Sequence, residues 1–243
     1  MQLVDFHCHL DLYPDFTEVI KNYEQKRIYT LAVTTTPRAW LKNNELTKYS
    51  KYIQVALGYH PQLVDESWRK ELEIWIKHLP ETKFVGEVGI DGSTKFKNTL
   101  VFQKQVFKEI LIHCANAENK ILSVHSLNSS RTVLDLIEEY LPQSKGRVVL
   151  HWFTGTIPEA KKALKLGCYF SINPRMLNTK KGQELLKTLP IDKLLTETDG
   201  PFVKINISDT IRGLAIAKHN TVDFISKQIS NNFHTLINTQ LLE

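Results

Sequence analysis

The sequence predicts an α/β fold: eight strand–helix units closed into a (β/α)8 TIM barrel, one domain over residues 1–243. Three observations point there. Short runs rich in β-branched residues alternate with amphipathic helical patterns. Eight such units fill 243 residues, the usual size of that barrel. Histidines and carboxylates recur at the C-terminal ends of the strand runs, where barrel enzymes build their sites. A doubly wound open sheet also alternates strand and helix, and is the second architecture the pattern allows.

The strand runs come in order at 2–6 (QLVDF), 28–34 (IYTLAVT), 52–57 (YIQVAL), 83–88 (KFVGEV), 120–125 (KILSVH), 147–152 (RVVLHW), 167–172 (GCYFSI) and 193–198 (KLLTET). Brief continuous apolar runs suit strands covered on both faces, as in a parallel sheet. Helical patterns fit between and after them at 15–26, 37–49, 65–79, 100–114, 130–141, 158–166, 179–189 and 220–236. In 65–79, Asp65 is the expected N-cap, and Trp68, Leu72, Trp75, Ile76 and Leu79 share a face. In 100–114 the corresponding face carries Val106, Phe107, Ile110, Leu111 and Cys114.

Composition is that of a globular protein with a sizeable core, 42% hydrophobic and 23% charged. The net charge of +5 favours an anionic partner only mildly, because solvated surface lysines give the same excess. No apolar run reaches the length of about 18 residues that a membrane span needs. MQLVDFH has no basic stretch leading into an apolar one, so no secretory signal is expected. Cys8, Cys114 and Cys168 are widely spaced and odd in number, which fits reduced thiols and a cytoplasmic location.

The chemistry gathers at the strand ends. DFHCHLD (5–11) closes the first strand, GYHP (58–61) follows the third and GEVGID (86–91) closes the fourth. His125 ends the fifth strand, His151 the sixth, and Glu197 and Asp199 the eighth in TETDGP. Side chains alternate along a strand, so His7 and His9 share a face while Cys8 turns toward the helices as a small buried hydrophobe. Four histidines and two carboxylates exceed the needs of one ion and suit two divalent ions a few ångströms apart. His7, His9 and Asp199 complete one set, His125 and His151 the other, and Glu87 is the expected bridge. The absence of sulfur donors favours Mg, Mn or Zn without choosing among them. Such ions lower the pKa of a bound water and neutralise charge on the scissile group, with Asp199 as ligand and proton acceptor and Glu87 as its catalytic companion. Glu197 shares Asp199's face and is expected to orient a histidine.

In order and spacing these motifs resemble TatD-type metal-dependent hydrolases of the amidohydrolase superfamily, over residues 1 to about 202. The resemblance implies a deoxyribonuclease with a two-metal centre, and His7, His9, Glu87, His125, His151 and Asp199 as its ligands. It departs in three places. The family's HxR after the fifth strand is HSLNSS here (125–130), with Arg131 or Arg175 as substitutes. STKFKNT (93–99) differs from the aromatic the family often places there, and the segment from about 203 to 243 is divergent. Specialised TatD-like proteins serve in multi-gene anti-phage systems of the Qat type, which implies protein partners in defence. His60, Arg175 and Trp152 are the expected substrate contacts, and Tyr59, Trp152, Phe153 and Phe202 are candidates to stack nucleobases.

The expected function is cleavage of DNA, single strands or ends foremost, by a metal-activated water. Hydrolysis of an ester or amide such as an aminoacyl-RNA is the alternative, and a catalytically weak subunit of a defence complex is a third reading.

Overall fold

The computed structural model describes residues 3–202 and 206–238. Gln2 of the first predicted strand, and 203–205 and 239–243 of the predicted C-terminal segment, lie outside them. Eight parallel strands follow one another around a barrel: β1 (Leu3–Cys8), β2 (Ile28–Val33), β3 (Ile53–Ala56), β4 (Phe84–Gly89), β5 (Lys120–His125), β6 (Gly146–His151), β7 (Tyr169–Ile172) and β8 (Leu194–Thr196). Helices α1 (Phe16–Gln25), α2 (Pro37–Thr47), α3 (Trp68–His78), α4 (Leu100–Ala117), α5 (Ser130–Tyr140) and α6 (Ile157–Lys165) connect the first seven strands. Then come α7 (Pro174–Leu177), α8 (Lys180–Thr188), α9 (Ile207–Ala217) and α10 (Val222–Asn238). All eight predicted strands are present, so the closed barrel replaces the open-sheet alternative.

Helix starts follow local chemistry. Asp15 accepts from the Glu18 N–H at 2.9 Å and caps α1, and Thr36 followed by Pro37 opens α2. Thr156 and Glu159 form a reciprocal capping box on α6. One expectation is corrected: α3 begins at Trp68, after Ser67, while Asp65 accepts from the backbone and hydroxyl of Ser67 at 2.8 and 2.7 Å. The aspartate closes a local Asx turn and leaves the helix to start three residues later. The sequence reading also missed α7 and α9. Asn206 caps α9 by accepting from the Ser208 N–H at 2.9 Å.

The barrel has two seams where regular pairing stops, between a three-stranded and a five-stranded ladder. At β3–β4, the Leu57 N–H donates to Phe84 O and the Gly86 N–H to Leu57 O, both at 3.0 Å. At β8–β1, the Asp199 N–H reaches His7 O at 2.9 Å and the His9 N–H reaches Gly200 O at 2.8 Å. A side chain reinforces that second seam. The buried Asp5 carboxylate accepts from the Thr198 N–H at 2.8 Å and its hydroxyl at 2.7 Å. Burial pushes the Asp5 carboxyl up to about 7, against the pull of these two bonds. Outside the seam α10 packs on β1 and β8, with Phe233 edge-on to Phe6 at 6.3 Å. Asn232 donates from Nδ2 to Ile191 O and Leu194 O at 2.7 Å each.

No helix among the described residues is long and apolar enough to cross a membrane. The three cysteines are free and buried, Cys8 against the Tyr23 hydroxyl of α1 at 3.7 Å, as strand alternation requires. Burial pushes the Cys168 thiol up to about 12 and raises Cys8 and Cys114 as well. Ellman's reagent is therefore expected to leave all three thiols unmodified on the native protein over minutes, and to titrate them once denaturant is added. Rapid native-state reaction of any one would contradict this packing.

Candidate metal centre

The five strand-end histidines converge on one carboxylate. Glu87 sits near the end of β4, and its Oε2 lies 3.4 Å from His7 Nε2, 3.1 Å from His9 Nε2 and 3.2 Å from His60 Nε2. Its Oε1 lies 2.7 Å from His125 Nδ1 and 3.4 Å from His151 Nε2. Burial alone would raise the Glu87 carboxyl. The facing imidazoles of His60, His7 and His151 and the hydrogen bond with His125 outweigh it, and hold the group well below the usual carboxylate range. Asp199 Oδ1 stands 3.8 Å from both His7 Nε2 and His9 Nε2. Burial pushes its carboxyl up to about 6.

Three of the histidines are aimed by what holds their other ring nitrogen. Glu197 Oε1 faces His151 Nδ1 at 3.1 Å, and Ser171 and Asn173 donate to Glu197 in turn. Ser123 Oγ holds His7 Nδ1 at 2.8 Å. Asp91 Oδ2 holds His125 Nε2 at 3.2 Å and is itself bound by Gln62 Nε2 at 2.7 Å. In each case the remaining nitrogen faces Glu87, an arrangement in which a carboxylate or hydroxyl fixes the ring and leaves a lone pair for an ion. His60 differs. Its Nδ1 accepts from the Gln62 N–H at 3.1 Å, which assigns the proton of the neutral ring to Nε2. It therefore presents a donor toward Glu87 Oε2, 3.2 Å away. Gly58 lets this loop approach the barrel, since a Cβ there would fall 1.7 Å from Thr34 O.

The residues fit a divalent centre on their own chemistry. His7 Nε2 and His9 Nδ1 are buried polar atoms without a hydrogen-bond partner, an arrangement that costs free energy unless another group satisfies them. Burial, and next the charge of His151, lowers the His7 imidazole to about 3, which keeps it neutral as a ligand must be. Among the described residues three groups bring their donor atoms within 4.8 Å of one another: His7, His9 and Asp199; His7, Glu87 and His151; and His60, Glu87 and His125. The first is the set expected from sequence. Glu87 joins the other two, and its Oε1 faces both His125 and His151. All donors are nitrogen or oxygen, suited to Mg, Mn or Zn.

This cluster floors a cavity of about 590 Å³, whose lining includes His60, Glu87, His125, His151, Trp152 and Asp199. Among the described residues that line it there is no lysine or arginine. Trp152 takes φ 37°, and Asp199 takes φ 54°, left-handed conformations uncommon for side chains of their size. Arg175 is exposed and reaches the cavity only through Trp152, its guanidinium 5.3 Å from the indole ring. Two of the four aromatics expected at the mouth are elsewhere: Tyr59 and Phe153 are 3% and 1% exposed and belong to the core. Asp91, Ser123 and Ser171 were not singled out in the sequence, although Asp91 closes the GEVGID motif.

The match to the family described as TatD related DNase covers residues 4–238, so it runs through α9 and α10. A human protein named deoxyribonuclease TATDN3 is 31% identical over 217 residues, covering 82% of this chain and 78% of its own. A Bacillus subtilis protein named uncharacterized metal-dependent hydrolase YabD is 29% identical over 210 residues, 83% of this chain and 81% of its own. Among solved structures, the TatD homologue YJJV of Escherichia coli K12 superposes with a TM-score of 0.83 at 21% identity, covering 98% of each chain. A Saccharomyces cerevisiae amidohydrolase gives 0.81 at 14% identity, over 97% of this chain and 99% of its own.

Glu197→Ala leaves His151 Nδ1 without its acceptor. It is expected to weaken Mn²⁺ binding, measured by titration calorimetry, by about 10- to 100-fold with an unchanged circular dichroism spectrum. Unaltered affinity would remove His151 from the centre.

Proposed function

The chain belongs to the TatD-related DNase family of metal-dependent hydrolases, and we propose that it cleaves DNA phosphodiester bonds, acting on single strands or ends. The observation that carries this is the Glu87 carboxylate surrounded by five imidazoles at the floor of an open cavity. We take residues 1–243 as one catalytic domain with a divergent C-terminal segment from about 203. Three buried free thiols support a cytoplasmic setting. A part in Qat-type anti-phage defence, with protein partners, rests on the sequence resemblance alone.

His7, His9, His125, His151, Glu87 and Asp199 would hold two ions of Mg, Mn or Zn. When bound, such ions neutralise charge developing on the phosphoryl group and bring the pKa of a water toward neutrality. That need is acute because no lysine or arginine is among the described residues that line the cavity. Asp199, whose Oδ1 stands 3.8 Å from both first-strand histidines, would take the proton of the attacking water at its carboxylate. His60 presents its Nε2–H at the cavity beside Glu87 Oε2, where it would donate a hydrogen bond to a phosphoryl oxygen, and the leaving oxygen takes its proton from solvent. Trp152 walls the cavity, and Arg175 braces its indole from outside. The same lack of cations favours, as a second reading, an uncharged ester or amide substrate such as an aminoacyl-RNA.

Cleavage of labelled single-stranded DNA with Mn²⁺ or Mg²⁺, lost on adding chelator, is the expected result. Asp199→Asn is expected to lower kcat by at least about 100-fold. His60→Phe should lower kcat by about 100-fold at unchanged ion content, because it removes a donor and no ligand. DNA cleavage that survives both Glu87→Ala and Asp199→Asn would refute the assignment. Aminoacyl-ester hydrolysis without DNA cleavage would establish the second reading.

A further inference from the structure

Two of the five imidazoles, His60 and His125, face opposite oxygens of Glu87, Oε2 at 3.2 Å and Oε1 at 2.7 Å. They come from the ends of different strands, β3 and β5, and one residue joins them. Gln62 lies in the short 3₁₀ turn Pro61–Leu63, whose entry is fixed by the His60 N–H on Thr35 O at 2.9 Å. Its backbone N–H donates to His60 Nδ1 at 3.1 Å. Its side chain reaches the other way. There Nε2 donates at 2.7 Å to Asp91 Oδ2, the oxygen that also holds His125 Nε2 at 3.2 Å.

Asp91 is buried and held from three sides. The Ser93 N–H occupies its Oδ1 at 2.8 Å, and Gln103 Oε1, on α4, accepts the Asp91 N–H at 2.8 Å. Gln103 is itself held, its Nε2 donating to Thr99 Oγ1 at 3.0 Å. Those bonds fix where the carboxylate stands, and the bond from Gln62 fixes how it is turned. A carboxylate oxygen accepts along two lone-pair directions, so with one taken by Gln62 the other is left for His125. We infer that Gln62 is a positioning residue for the ion centre: it sets the His60 ring through its backbone and the His125 ring through Asp91, and so locks the β3 loop to the β5 imidazole. Its carboxamide brings neither a carboxylate nor an imidazole to an ion, so the side chain acts by way of Asp91. This role rests on the ion-centre reading above.

Two measurements on the full chain test this. Mn²⁺ affinity, by titration calorimetry, should fall about 10-fold in Gln62→Ala, the scale for losing a hydrogen bond behind a metal-holding histidine. Gln62→Glu turns an acceptor toward Asp91 and should lose at least as much, although a new carboxylate beside a cation would by charge alone tighten binding. Gln62 is exposed, so neither change opens the core. In the metal-free protein, long-range proton–nitrogen correlation spectra should show the His125 ring signals displaced in both variants. The His60 ring should keep its proton on Nε2 in both, because the backbone N–H at position 62 remains. Unchanged His125 signals in Gln62→Ala, or Mn²⁺ binding by Gln62→Glu as tight as by the wild type, would overturn the inference. Loss of the His60 signature would overturn it too, since the side chain would then be holding the whole loop. A wild type that binds no Mn²⁺ would overturn the ion centre, and the metal-free ring spectra would still decide the role of Gln62.

Discussion

The site depends on keeping one ionised carboxylate, Glu87, buried at the centre of the barrel mouth. An isolated carboxylate removed from water is expensive, and it persists only where opposite charge and hydrogen bonds surround it. Here the surroundings are imidazoles drawn from the ends of β1, β3, β5 and β6. No local segment could assemble that shell. His7 and His151 are 144 positions apart by number, yet their rings stack with centroids at 3.7 Å. The barrel is thus the device that keeps the carboxylate stable, and the carboxylate in turn draws five imidazoles together around it.

A second constraint sits one layer outward. Where β8 meets β1 there is no regular ladder, and the gap is closed by the chain around Asp199 and by the Asp5–Thr198 pair. The Asp199 N–H is fixed on His7 O, so the backbone that joins the strands also sets the distance from Asp199 to both first-strand histidines. Structural closure and the positioning of the proposed base are one set of bonds. Glu197, Ser123 and Asp91 do the same for individual rings, converting the strand framework into fixed ring directions.

Much of this was legible in the chain. Eight apolar runs at barrel spacing located every strand, because strands covered on both faces read as continuous hydrophobic text. The histidines stood out because a polar residue at the end of such a run has few roles. Cys8 was excluded by alternation alone, and it is buried against α1. What escaped was pairing across distance. Asp5 and Thr198 are ordinary residues until closure brings them together, and Asp91 is one carboxylate among many until the β5 histidine turns to it. Aromatics deceived for the same reason: Tyr59 and Phe153 flank motif residues but point into the core, whereas Phe202 does not. The α9 helix was missed because its apolar face meets partners that only tertiary packing reveals.

The central claim is that Glu87 is the hub of a divalent-ion centre, and anomalous X-ray diffraction from crystals soaked in Mn²⁺ addresses it most directly. The account predicts anomalous density bonded to Glu87, with nitrogen ligands from His7, His9, His125 and His151 and none from His60. Fully soaked crystals with no anomalous density against Glu87, or an ion held by His60 in place of those four, would contradict it.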